Sequence, residues 1–164
     1  STPIKSSAAS DVYKRQGYHS DAARTHAVGE VSEEAKKLIQ VTKECFFEGI
    51  KYAKAGNHLF DISGAIGRYA EERGYGVVRD LCGHGIGTAL HEAPEIPNYE
   101  VGRKGVKLRP GMTLTIEPMI NMGRPDIFVD DSNGWTIYTD DRLPSAQREI
   151  MVLVTETGHE VLAW

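Results

Sequence analysis

The chain holds 164 residues, 40% apolar and 26% charged, a balance that supports one buried core and argues against disorder. Nineteen basic against 23 acidic side chains leave a net charge of −4, which disfavours a general binder of nucleic acid or of acidic membranes. No apolar run approaches the roughly 18 residues of a membrane span, and two cysteines in unlike contexts, Cys45 and Cys82, make no disulfide framework.

Residues 1–16 differ in character from the rest of the chain. Ser1 to Ser10 offers one buriable side chain, Ile4, and Asp11 to Gln16 resembles translated adapter sequence. This stretch is expected to be an unrelated or disordered segment ahead of a single domain over 17–164. Gly17 to Asp21 reads as a turn and a short strand. Ser32 is a plausible N-cap, with Glu33 and Glu34 where acids suit the helix dipole. Ala35, Leu38, Ile39, Thr42, Phe46, Ile50 and Ala53 recur at steps of three and four, which predicts a helix over 33–55, closed by Gly56. A second helix is predicted over 61–73, capped by Asp61 and ended by Gly74. Val77 to Cys82 is strand-like and runs into Gly83-His84-Gly85-Ile86-Gly87. Residues 92–111 carry three prolines and several glycines and read mostly as loop. Strands are expected over 112–119, on both sides of a turn at 130–134, over 146–155 and over 159–162. Helices followed by mostly antiparallel strands make the class α+β.

Three residues stand out against an otherwise solvated set of histidines and acids. His84 is flanked by glycines, which let a backbone turn tightly and approach other groups. Glu117 lies inside an apolar strand, on one face with Thr113 and Thr115. Glu149 shares a face with Met151 and Leu153. A buried carboxylate costs several kcal/mol unless it is paired or metal-bound. One imidazole among such acids suits a hard or borderline divalent ion. The spacing is nonlocal: 63 residues separate Asp21 from His84, and 33 and 32 more lead to Glu117 and Glu149.

Cys82 to Gly87 with His91-Glu92-Ala93-Pro94 resembles the central signature of the type I methionine aminopeptidases. Leu108 to Thr113 through Ile116-Glu117-Pro118 resembles their next signature, and Asn133 to Thr136 with Ser145 to Glu149 their last. Gly17 to Asp21, leading to Val28-Gly29, resembles their metal-binding hairpin. The resemblance is collinear over 17–164 and marks that span as part of the family's catalytic domain. It implies a pita-bread fold around a dinuclear metal site, and removal of the N-terminal methionine of nascent polypeptides by a metal-activated water. The metal ligands it implies are Asp21, His84, Glu117 and Glu149. Glu117 would also shuttle the proton, His91 would bind the scissile peptide, and Trp135 and Cys82 would shape the methionine pocket. The ions would be Co, Mn, Fe or Zn. The expected setting is a cytoplasmic monomer that meets nascent chains, and possible contact with the ribosome goes with it; no nucleic acid or membrane partner is expected.

One departure bears on this expectation. The family's first metal-binding aspartate falls, by spacing, on Ser10; Asp11 is one residue out of register, which turns a strand side chain to the other face. The chain is therefore expected to be N-terminally incomplete relative to the family, to hold one ion tightly and a second weakly, and to be impaired in activity. The alternatives are another hydrolase of the same fold, such as an Xaa-Pro peptidase, or a non-catalytic peptide-binding module.

Overall fold

A computed structural model describes residues 6–10 and 13–163. In chain order the strands are β1 (Ser6–Ser10), β2 (Tyr13–Arg15), β3 (Tyr18–Ser20) and β4 (Ala22–Ala27). Helices α1 (Glu33–Ile50) and α2 (Leu59–Glu71) come next. Then come β5 (Gly76–Val77), β6 (Gly83–Gly85), β7 (Glu92–Ile96), β8 (Thr113–Ile116) and β9 (Met119–Asn121). The last strands are β10 (Ile127–Val129), β11 (Ile137–Thr139), β12 (Ser145–Val154) and β13 (His159–Val161). Within the stretch set apart as 1–16, β1 pairs with β4 and β2 pairs with β3.

Both helices form where the apolar period places them, with shifted ends. Ser32 caps α1, its hydroxyl accepting the Ala35 N–H at 3.2 Å, and the helix stops at Ile50 rather than near 55. Helix α2 begins at Leu59, two residues before the expected cap. Asp61 lies in its first turn and reaches back, its carboxylate accepting the His58 N–H at 2.8 Å. Gly74 closes the exit of α2 with a left-handed φ of 81°, as expected of a C-terminal glycine. The inner faces meet: Leu38, Phe46, Ile50, Ile62 and Ile66 are all buried. Each fully buried side chain of this size contributes about 1.5–3 kcal/mol.

The main sheet runs β1-β4-β12-β8-β6-β7, with β13 and β9 also paired to β12. Strand β12 is its spine. The apolar face of the sheet carries Ile150, Val152, Val154, Leu114, Ile116 and Ile96 into the helix layer, and the opposite face is left for polar side chains. The span 92–111 is mostly loop, as expected, apart from β7, which pairs with β6; Pro94 is tolerated there because β7 lies at the sheet's edge. Two expectations need correction. The strand expected over 77–82 shrinks to β5, because the chain bends at Arg79-Asp80 and leaves the ladder before β6. The strand expected over 112–119 is two strands, β8 and β9, split at Glu117-Pro118. Both halves keep one antiparallel register against β12, from Gln147 opposite Met119 to Ile150 opposite Ile116. Pro118 breaks the ladder because it has no N–H to give, while its carbonyl still accepts the Arg148 N–H at 3.1 Å. Among the described residues no helix is long and apolar enough to cross a membrane.

Candidate metal centre

Period two decides what stands on the polar face. The register that sets Ile150 opposite Ile116 puts Glu149 opposite Glu117 across the proline break. Glu149 pairs in turn with Ala23 of β4, two residues from Asp21. His84 of β6 stands opposite Thr115 of β8, two residues from Glu117. Four side chains drawn from four distant segments thus converge on one side of the sheet. The Thr115 hydroxyl anchors β6 at this point, accepting the His84 N–H at 3.2 Å and donating to the His84 carbonyl at 3.3 Å. Gly85 lets β7 come close, since a Cβ there would sit on the Ala93 carbonyl oxygen.

Donor atoms of Asp21, His84 and Glu149 lie within 4.8 Å of one another. Glu117 joins them, its Oε1 3.6 Å from His84 Nε2. All four residues are at most 9% exposed. Burial is the first cause lifting the carboxyls of Asp21, Glu117 and Glu149 above their ordinary range. For Glu117 the charges of Glu149 and Asp21 add to it, and for Glu149 that of Asp21. Burial pushes His84 the other way, toward the neutral imidazole. Its Nδ1 lies 2.9 Å from the Gly85 carbonyl, which accepts only from a protonated nitrogen. That bond leaves Nε2 bare and aimed at the acids, the tautomer a metal requires. Asp21 Oδ1 is buried with no hydrogen-bond partner. Three buried carboxylates, one orphaned acceptor and one imidazole lone pair, with no lysine or arginine among the described residues partnering the acids, fit a divalent cation by donor chemistry.

The other expected site residues fall unevenly. The exposed His91 packs its ring edge-on to His84, centroids 4.2 Å apart. Cys82 shares with His84, His91 and Glu95 a cleft of about 540 Å³. Trp135 is not brought to the cluster. It is 85% exposed beyond a turn in which Asn133 Oδ1 accepts the Trp135 and Thr136 N–H groups. Ser10 pairs with Ala23, in the row that runs on to Glu149 and Glu117; Asp11 lies outside the described residues. Two contributors were missed as site residues in the sequence. Gln147 donates from Nε2 to Glu117 Oε2 at 3.2 Å, and the fully buried Asn98 donates from Nδ2 to the Glu117 carbonyl at 3.1 Å. Gln147 had a signal, since it lies two residues from Glu149 on one strand; Asn98, in a proline-rich connection, had none. Beyond Gln147 an apolar pocket of about 280 Å³ opens, lined among others by Leu81, Met119, Ile137, Tyr138 and Ala146.

The profile of metallopeptidase family M24 matches residues 9–156, and the chain belongs to that family. It is 52% identical over 146 residues to a methionine aminopeptidase of Clostridium acetobutylicum, covering 89% of this chain and 58% of that one. It is 44% identical over 149 residues to methionine aminopeptidase 1 of Bacillus subtilis, covering 91% and 60%. The solved methionine aminopeptidase of Rickettsia prowazekii superposes with a TM-score of 0.91 at 41% identity, over 94% of this chain and 62% of that one. A prolidase of Pyrococcus horikoshii superposes at 0.75 and 25% identity, over 96% and 39%. The fold is the pita-bread fold of these enzymes. The chain spans about 58% of the length of the first of these curated relatives.

Proposed function

We propose that this chain carries the metal-binding part of a methionine aminopeptidase, which removes the N-terminal methionine of nascent polypeptides. The observation that carries this reading is the buried convergence of Asp21, His84, Glu117 and Glu149, to which no lysine or arginine among the described residues is paired. These four would hold divalent Co, Mn, Fe or Zn, one ion tightly and a second weakly. Such an ion supplies polarisation of a carbonyl and acidification of water. Glu117, whose Oε1 faces the cluster 3.6 Å from His84 Nε2, is placed to accept a proton and pass it to the leaving amine. His91 stands at the cleft mouth, where its ring can donate to the scissile peptide. The apolar pocket beside Gln147 is suited to a flexible thioether, with Cys82 lining the neighbouring cleft; Trp135 lines neither, and the part expected of it in the methionine pocket is carried here by Ile137 and Tyr138. A cytoplasmic monomer working beside the ribosome goes with this reading.

The test is metal content and turnover measured together. The chain is loaded with Mn or Co, ions per chain are counted, and cleavage of Met-Ala-Ser is followed beside an Xaa-Pro peptide. One tight ion supports the proposed site. Methionine release with two tight ions overturns the expectation of an impaired chain. No metal uptake overturns the reading itself.

A further inference from the structure

Glu117 is gripped by neutral amides at both ends: Asn98 holds its carbonyl and Gln147 holds Oε2. Gln147 is itself pinned. The Thr25 hydroxyl accepts the Gln147 N–H at 2.9 Å and donates to the Gln147 carbonyl at 3.1 Å. Both main-chain groups of Gln147 are thus tied to β4, the strand just after Asp21. The terminal torsion of a glutamate is broad and roughly two-fold, so an untethered carboxylate presents either oxygen, or both. Here Oε2 is engaged and Oε1 is the oxygen left facing His84 Nε2. An arginine in place of Gln147 would bring a positive charge to the carboxylate and compete with a cation; the amide directs the group and leaves its charge free.

We propose that Gln147 is a positioning residue that makes Glu117 offer a single oxygen to the metal, and that Thr25 is its support. This rests on the metal site proposed above. The register explains why both residues are available. Thr25 continues the Asp21-Ala23 side of β4 and Gln147 continues the Glu149 side of β12, so one face carries ligands and tethers alike.

The experiment is calorimetric titration of the full chain with Mn²⁺, with the paramagnetic resonance spectrum of the bound ion as a second readout. Gln147→Met keeps length and removes the donor. It should weaken Mn²⁺ binding about 10–100-fold, the usual cost of losing a partner that orients a ligand. It should also alter the resonance spectrum and leave the metal-free melting temperature unchanged. Thr25→Val should weaken binding less, in the same direction. Should Gln147→Met fold poorly, Gln147→Asn, whose amide stops short of Glu117, reads the same effect. Binding within twofold of the parent, with the parent's spectrum, overturns the role of Gln147 and leaves the metal site standing. A parent chain that takes up no Mn²⁺ overturns the metal site and this role with it.

Discussion

Replacing Glu149 by glutamine should make the metal-free protein more stable, against the usual direction of a substitution at a buried position. The donor atoms of Asp21 and Glu149 lie within 4.8 Å of each other. Burial, with the Asp21 charge adding to it, holds the folded Glu149 carboxyl up to about 8, while the unfolded chain releases that proton near 4.5, so keeping it costs folding about 3 kcal/mol at neutral pH. Glu149→Gln removes this cost and leaves an amide N–H short of a partner, at a cost of about 1–3 kcal/mol. A net gain of about 1 kcal/mol is expected near neutral pH, which raises the melting temperature by roughly 2–4 °C in a domain of this size. The gain should depend on pH in a set direction. The buried carboxyls sit above their ordinary values, 4.5 for the glutamates and 3.8 for Asp21. The folded chain therefore keeps protons that the unfolded chain gives up, and the parent loses stability as pH rises from about 4 through the raised values. Below that window the advantage of Glu149→Gln should vanish. Mn²⁺ at about 100 times its dissociation constant should stabilise the parent by about 2.7 kcal/mol and the variant far less. Thermal melts of both proteins, with and without Mn²⁺, from acid to mildly alkaline pH, read all of this. A variant less stable than the parent near neutral pH, yet equally stabilised by Mn²⁺, refutes the reasoning.

Ile150→Ala, at a fully buried position on the spine strand, should cost about 2–5 kcal/mol through lost transfer energy and a cavity, read as a lower urea midpoint. Gly85→Ala should push β6 from β7 by driving a Cβ onto the Ala93 carbonyl; the expected result is loss of Mn²⁺ binding by titration, because His84 moves with the strand. Ser32→Ala should lower stability by about 1 kcal/mol through loss of the α1 cap, with Mn²⁺ affinity unchanged in the same titration.

Much of the local structure was legible in the chain. The three-and-four spacing from Ala35 to Ile50 and Ser32 before it specify α1, and Gly74 marks the exit of α2, because these signals act over one or two helical turns. The signature segments also named Asp21, His84, Glu117 and Glu149. What the chain order could not express is their meeting. That comes from strand register, in which Glu117 and Glu149 face each other only because β8 and β9 share one ladder with β12 across a proline. Strand β7 was hidden because its proline signals a break unless the strand is known to lie at an edge. Asn98 and the grip of Gln147 on Glu117 were hidden for a related reason, since a tether between residues 30 positions apart leaves no periodic trace. Trp135 was expected at the pocket and stands in solvent, because its turn is closed by its own Asp130 and Asn133. The residues set which chemistry is available, through burial cost and donor type. The tertiary structure alone decided that three carboxylates and one bare imidazole nitrogen share a single buried space, because only pairing between distant strands can bring them within ligand distance.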